Sequence, residues 1–253
     1  MKKVINGSIL AAVCFLLLFF APGTTSLVFV AAMTLLCAFG YGVGICRING
    51  FAEGFSSAIA RIQEMKKITV AENWLYVKQM DSLFRNRYLD GLLARYAKKV
   101  EQAKQNPGAI LPDIEASISE DHLALRCQKN FLAIIPGTLT GLGILGTFYG
   151  LIRGLGGIHF SSVDVVVDSI TSLVSGIDTA FYTSIAGVGL SLVFEILTKL
   201  SWNDALSILF DFYDCFHSRV IPPEQEQRDL ARQEFCRRVS EFMEQHTHEK
   251  TAD

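Results

Sequence analysis

Two apolar segments carry hydroxyl and glycine residues at helical spacing. In the first, the members follow one another at intervals of three or four: Thr140, Gly143, Thr147, Gly150 and Gly154. A helix places residues at this spacing on one face, and Gly146 adds overlapping GxxxG spacings with Gly150 and Gly154. Hydroxyls in apolar surroundings can solvate an ion or a carboxylate, and glycines let helices approach closely. The segment is predicted to combine a polar pathway with a packing face.

The second segment allows two neighbouring stripes, and both are small and hydroxylic. One consists of Ser172, Gly176, Thr179, Thr183 and Gly187. The other consists of Ala180, Ser184, Gly187 and Ser191, with Glu195 one turn beyond. Each hydroxyl can instead bond to the carbonyl four residues earlier, so packing alone is the alternative to a polar pathway. The earlier apolar segments are mainly Leu, Phe, Val and Ala, which favours the pathway for the later two.

Asp178 is the only carboxylate well inside the second of these segments. An acidic residue within a membrane span is by default a functional candidate, because a charge is costly in lipid. Its offset of six residues from Ser184 puts it on a different helical face. A contact with another subunit or with Tyr182 is favoured over ion carriage.

The elements that position these residues are transmembrane helices. Half of the residues are hydrophobic and the mean hydropathy is +0.32, and residues 4–46, 130–152 and 179–194 contain no Asp, Glu, Lys or Arg. A bilayer takes about 20 helical residues to cross. The sequence predicts an all-α integral membrane protein with four transmembrane helices, the first two forming a hairpin that turns at Pro22-Gly23. A signal peptide is the alternative for the first, but no small-x-small cleavage site follows it.

Charge sets the predicted topology. Residues 47–129 carry 13 Lys or Arg against 10 Asp or Glu, and the N-terminus has Lys2 and Lys3, so both are expected in the cytoplasm. The predicted regions are a peripheral hairpin (1–46), a cytoplasmic helical insert (47–130), the third and fourth spans (131–200) and a cytoplasmic helical tail (201–253). The insert is expected to hold one long amphipathic helix through Val77, Met80, Phe84, Tyr88, Leu92 and Tyr96, which a break at Asn106-Pro107-Gly108 ends.

Several functions are not expected from the composition. The net charge is −2 and the pI is near 6.2, which gives no basic tract for nucleic acid. Six separated cysteines show neither disulfide nor zinc spacing, and His159, His246 and His248 are expected to be solvated. No Walker loop, nucleophile elbow or HExxH motif is present. No catalytic residue, metal site, cofactor or enzyme activity is predicted.

Two motifs carry a family resemblance. They read Leu145-Gly146-Thr147-Phe148-x-Gly150-Leu151 and Thr179-Ala180-Phe181-x-Thr183-Ser184-x-x-Gly187. Together they resemble the two pore helices of the MotA/TolQ/ExbB proton-channel family. Four spans, with Pro136-Gly137 before the first motif, look closest to the ZorA proteins of Zorya anti-phage systems, which usually continue into a long cytoplasmic tail.

The resemblance implies a rotary motor in the bacterial inner membrane that is driven by the proton-motive force. Five copies of this chain would surround two copies of a single-span B-type partner with a membrane Asp and a peptidoglycan-binding domain. The ion would be H⁺ or Na⁺, and its pathway would include Thr147 with Ser184 or Thr183. Thr140 and Thr179 would lie along the same route. The alternatives are an envelope energiser like ExbB or TolQ, or a non-conducting membrane scaffold.

Overall fold

The regular structure of the chain is helical. The computed structural model describes residues 2–65, 70–106, 109–157 and 163–250, and these ranges contain no β-strand. Their α-helices are α1 (Lys2–Phe19), α2 (Thr24–Gly40), α3 (Cys46–Glu64), α4 (Val70–Gln79), α5 (Arg87–Lys104), α6 (Glu120–Arg126), α7 (Lys129–Gly156), α8 (Val163–Arg219) and α9 (Glu224–Lys250). The prediction of an all-α fold is confirmed.

Three helical stretches of the described residues are long and apolar enough to cross a membrane. They lie within Thr24–Glu64, Lys129–Gly156 and Ser169–Glu241. The apolar part of α1, Val4–Phe19, is shorter. It has fewer than the about 20 helical residues that are needed to cross the hydrocarbon of a bilayer. The helices therefore fit a membrane protein, whereas a fourth span at α1 and the cytoplasmic position of the insert stay predictions.

A π-helical segment, Tyr41–Ile45, joins α2 to α3 without a break in the helix. Glycines beside and within it let bulky side chains of α7 and α8 approach the helix backbone. A Cβ atom at Gly40 would lie 2.3 Å from Ile135 Cδ1, and one at Gly44 would lie 2.4 Å from the methyl carbons of Leu132. These distances leave no space for a side chain at either position.

The chain divides into two compact units, each built from two parts of the sequence. Unit 1 comprises residues 1–50 and 121–205, and unit 2 comprises residues 51–120 and 206–253. In unit 1, α1 is attached to α8 by two polar contacts. The Tyr182 hydroxyl donates to the Leu17 carbonyl oxygen, and Asn6 Nδ2 donates to Ser201 Oγ over 3.0 Å.

Unit 2 has an aromatic core. Its fully buried rings belong to Phe55, Phe84, Tyr96, Phe212 and Phe216. The ring centroids of Phe84 and Phe212 are 5.1 Å apart, and those of Phe55 and Phe84 are 5.6 Å apart, which is the range of favourable aromatic pairs. Tyr96 Oη donates to the Pro112 carbonyl oxygen over 2.9 Å. Burial, aided by the negative charge of Asp113, raises the pKa of Tyr96, so this hydroxyl stays protonated and keeps its donor.

The prediction of one long helix in the insert is wrong, because α4 ends at Gln79 and α5 begins at Arg87. The Asn86 side chain caps α5 by accepting from the backbone N–H of Tyr88 over 3.1 Å. Asp90 accepts from the Phe84 backbone N–H over 3.1 Å, and these bonds compete with continued helix. The predicted break at 106–108 falls partly outside the described residues.

The aromatic core predicts a strong effect of truncating Phe212. Replacing Phe212 with Ala should lower the free energy of unfolding by about 3–5 kcal/mol, because a cavity replaces a fully buried ring. Unfolding of the detergent-solubilised protein measures the effect. Phe210→Ala is the matched control on the same helix, since Phe210 is exposed, and it should change stability by less than about 1 kcal/mol. Equal losses for both variants would contradict the assignment of the core.

Candidate functional site

The backbones of α7 and α8 are in direct contact along a row of small residues, called the glycine seam here. The five predicted packing glycines are all buried: Gly143, Gly146, Gly150, Gly154 and Gly187. A Cβ atom at Gly150 would lie 2.7 Å from the Gly176 carbonyl oxygen and 2.9 Å from the Ala180 nitrogen. At Gly187 it would lie 2.7 Å from the Leu139 carbonyl oxygen. Only glycine allows this approach, and the contact is made within one chain.

Thr147 links the two helices at the edge of the glycine seam. Its Oγ1 lies 3.0 Å from the Gly143 carbonyl oxygen of its own helix and 3.2 Å from the Ala180 carbonyl oxygen of α8. The side chain is half-buried. A hydroxyl has one hydrogen to donate and two lone pairs that accept. Because the hydrogen points to these carbonyls, the lone pairs of Thr147 remain available to a donor or a cation at the open side.

The structure distinguishes Thr183 from Ser184. Thr183 is fully buried, and its Oγ1 lies 3.0 Å from the Thr179 carbonyl oxygen and 3.1 Å from that of Ala180. A Cβ atom at Gly146 would lie 2.6 Å from Thr183 Oγ1, so the Thr183 side chain faces α7. Ser184 is half-buried. Of the two, Ser184 has the side chain that is accessible from outside the helix pair.

The other predicted pathway hydroxyls are Thr140 in α7 and Thr179 in α8. Thr140 is half-buried and donates to the Pro136 carbonyl oxygen over 3.2 Å. Thr179 is buried and lines a polar cavity of about 270 Å³ together with Ser172, Ser175 and Arg153. The Arg153 guanidinium donates to Thr25 Oγ1 over 2.9 Å. A cavity of this size and polarity can hold water, and it borders the seam at Gly150, Gly154 and Gly176.

Asp178 is exposed and lies away from the glycine seam. The sequence favoured Tyr182 or another subunit as its partner. In the structure the Tyr182 hydroxyl donates its hydrogen to the Leu17 carbonyl oxygen and not to Asp178. No hydrogen bond or ion pair joins Asp178 to another described residue. Neighbours on its face include the exposed Val174, Phe181 and Ile185. Asp178 is therefore a single carboxylate within an apolar outward face of α8.

The remaining candidates lie outside the seam. His159 falls outside the described residues, and His246 and His248 lie in α9, beyond the side chains that the structure describes. Within the described ranges, no three His, Cys, Asp or Glu residues are arranged to hold a metal ion. Cys127 precedes α7 and is buried, and burial raises its pKa to about 12 against the opposing effect of Arg47 and Arg126. At neutral pH this thiol is protonated and therefore a weak nucleophile.

A contact between Lys129 and Trp202 in unit 1 had no signal in the sequence. The Lys129 ammonium lies 4.2 Å from the centroid of the Trp202 ring, a cation–π distance. Both residues line a cavity at the start of α7, together with Glu195 and Lys199. Lys129 and Trp202 are far apart in sequence, so no spacing rule connects them.

Residues 117–219, which contain α6, α7 and α8, match a family model described as the anti-phage protein ZorA of the Zorya type I system. The chain is ZorA-like over this segment. The Zorya protein ZorA of Escherichia coli O139:H28 is 38% identical over 82 residues, which is 32% of this chain and 11% of that protein. The ZorA of E. coli strain Crooks is 42% identical over 106 residues, which is 42% of this chain and 18% of that protein. The chain thus spans less than a fifth of either ZorA relative.

The glycine seam predicts how substitution at Gly150 acts. Gly150→Leu should lower the thermal midpoint of the solubilised chain, because the side chain would meet the Gly176 carbonyl and the Ala180 backbone. Overpacking of this kind costs about 1–3 kcal/mol or more. Gly141→Leu is the matched control, since nothing lies within 4 Å of a Cβ atom there. A midpoint in Gly150→Leu equal to that of the control would show that the seam does not form.

Proposed function

We propose that this chain is the membrane subunit of an anti-phage defence complex driven by an ion gradient, and that α7 and α8 line the route of the ion. One observation carries the proposal: within a ZorA-like segment, the half-buried Thr147 hydroxyl is fixed between α7 and the Ala180 carbonyl of α8. The defence role follows from the description of the matched family. The transport role follows from the chemistry of the two helices.

The ion would be carried by a membrane carboxylate of a partner subunit. A carboxylate in lipid is costly to ionise and needs polar neighbours. Thr147 and Ser184 offer oxygen lone pairs at half-buried positions, and the glycine seam holds both helices in place. Thr183, whose hydroxyl is buried in the seam, would position α8 against α7 and stay off the route. The cavity beside Thr179 would supply water from one side, and the ion would be H⁺ or Na⁺.

The assembly would be five copies of this chain around two copies of a single-span B-type subunit with a membrane Asp and a peptidoglycan-binding domain. Asp178 supports contacts between copies. In a single chain it would face lipid beside Val174 and Phe181, which are 58% and 67% exposed, and charges rarely occupy such positions. A neighbouring copy that covers this face would remove the carboxylate from lipid. Rotation of the five chains about the two B-type subunits would then transmit work to unit 2, which the proposal places in the cytoplasm.

The proposed topology is four spans in the bacterial inner membrane with both termini in the cytoplasm. The support is the surplus of Lys and Arg in residues 47–129 and the lysines at the N-terminus. The α1–α8 contacts through Tyr182 and Asn6 support a first span that packs beside the fourth.

A non-conducting scaffold is the second candidate, and one observation favours it. The hydroxyls of Thr140, Thr147 and Thr183 all donate to carbonyls of the preceding helical turn, as structural hydroxyls do. An envelope energiser without a defence role would share the transport chemistry and differ in its phenotype.

The topology predicts the outcome of reporter fusions. Fusions after Gly23 and Gly157 should report the periplasm, and fusions at Lys99 and Glu226 should report the cytoplasm, because the basic segments stay inside. Paired reporters, each active in only one compartment, make the measurement. A periplasmic signal at Lys99 would overturn the four-span topology.

The transport role predicts the behaviour of the Thr147→Ala, Ser184→Ala double variant. Removing both hydroxyls raises the pKa of the partner carboxylate that they would solvate. A rise of one unit in this pKa lowers the ionised fraction of the carboxylate about tenfold. Phage restriction by the complete system should therefore fall about tenfold or more. Membrane insertion and assembly should persist, because little volume is lost.

The matched control is Thr138→Ala, Thr171→Ala. These threonines are exposed on the same two helices and also donate to carbonyls four residues earlier. The control should restrict phage as the wild type does. Wild-type restriction by the double variant at Thr147 and Ser184, shown to be expressed and assembled, would return both hydroxyls to a packing role and favour the scaffold.

A further inference from the structure

The polar cavity of about 270 Å³ lies in unit 1, where the start of α2 meets the end of α7 and an early part of α8. Its lining contains one arginine and five hydroxyl residues: Arg153, Thr24, Thr25, Ser172, Ser175 and Thr179. The other lining residues are glycines and Pro22. Arg153 is therefore the one charged side chain among the described residues that line this cavity.

Thr179 differs from the other threonines of its helix pair. The helices α7 and α8 contain seven threonines, and the other six donate to the carbonyl four residues earlier: Thr138, Thr140, Thr147, Thr171, Thr183 and Thr198. The Thr179 hydroxyl donates to no described residue, although Thr179 is only 9% exposed. A buried hydroxyl without a partner costs free energy. Because Thr179 lines the cavity, its partner is an occupant of that cavity.

The cavity holds further hydrogen-bond donors without a protein acceptor. The hydroxyls of Thr24, Ser172 and Ser175 donate to none of the residues that the structure describes. The N-cap of α2 is Gly23, which has no side chain to bond the first N–H groups of the helix. These N–H groups and the positive end of the helix dipole therefore lie at the cavity.

The Arg153 guanidinium gives the cavity a positive charge. It makes one hydrogen bond, to the neutral Thr25 hydroxyl over 2.9 Å, and within the described ranges no carboxylate forms an ion pair with it. A guanidinium binds carboxylates and phosphates through two N–H groups at once. A carboxylate has about four lone-pair sites on two oxygens, fewer than the donors gathered here. A phosphate group has more oxygens, so it pairs with more of these donors.

We propose that this cavity binds a phosphate group, with the Arg153 guanidinium on two of its oxygens and the hydroxyls of Thr179, Ser172 and Ser175 on the others. Free inorganic phosphate and the headgroup of a phospholipid offer the same chemistry. The volume corresponds to about nine water molecules, so the group fits with water around it. The inference needs neither the ion transport nor the assembly proposed above.

Protection of Arg153 from phenylglyoxal, a reagent specific for arginine, tests the site. The full-length chain is kept in a maltoside detergent without phosphate, at constant ionic strength, and modification is followed by mass spectrometry. At four times the half-protecting concentration of inorganic phosphate, modification of Arg153 should slow about fivefold, because about four-fifths of the sites are occupied. Arg95, an exposed arginine of unit 2, is the control within the same sample and should react at an unchanged rate.

A second arm replaces inorganic phosphate with a soluble short-chain phosphatidylglycerol. Protection by inorganic phosphate assigns the site to the free ion, and protection by the phospholipid alone assigns it to a headgroup. Acetate should protect more weakly than either, because it leaves donors unpaired. Equal protection by acetate, equal slowing of Arg153 and Arg95, or no slowing by either phosphate source would each overturn the proposal.

A substitution that preserves shape isolates the hydroxyl of Thr179. Thr179→Val should raise the half-protecting concentration about tenfold, because a hydrogen bond to a charged group is lost. Thr171→Val is the matched control on α8, since Thr171 is exposed and donates to the Val167 carbonyl oxygen, and it should leave that concentration unchanged. An unchanged value in Thr179→Val with a wild-type thermal midpoint would contradict the assignment. Neither phage restriction nor ion flux enters the measurement, so failure here is distinct from failure of the transport role.

Discussion

The direct contact between the backbones of α7 and α8 is the constraint on which the polar chemistry of unit 1 depends. Lipid tails are as apolar as leucine, so helices in a bilayer gain little from hiding apolar side chains and must associate through close packing and hydrogen bonds. The glycine seam provides that packing, because Gly150 and Gly176 leave no space for a Cβ atom between the helices. The spacing of the seam also places Thr147 within reach of the Ala180 carbonyl.

The same contact sorts neighbouring hydroxyls into different environments. Thr183 points into the seam and is fully buried, whereas Ser184 is turned by about 100° and is half-buried. A hydroxyl enclosed in this way has a fixed hydrogen bond and stabilises the helix pair. A hydroxyl at the edge is open to partners from outside the helix pair. Thus adjacent residues of one motif divide between a buried and an accessible position, and the dividing line is set by the backbone of the facing helix.

The sequence was sufficient to predict features that depend on local periodicity. The glycines at intervals of three or four lie buried together, because a helical period maps them to one face. It could not choose between Thr183 and Ser184, since both stripes on α8 satisfied the spacing. It missed the end of α4, because the apolar period continued while Asn86 and Asp90 redirected the backbone hydrogen bonds. The cavity with Lys129 and Trp202 depends on residues brought together only by the fold.

The π-helical segment Tyr41–Ile45 has a consequence for comparing this chain with its relatives. A π turn holds one residue more than an α turn, so the side chains that follow are rotated by about 100° from those of an uninterrupted helix. The buried positions of the next turn, Ile48 and Asn49, owe their direction to that extra residue. Loss of one residue here could be absorbed by reversion to α-helix, with the downstream directions kept. An alignment gap at this point would therefore mark a conserved orientation and not a disrupted helix.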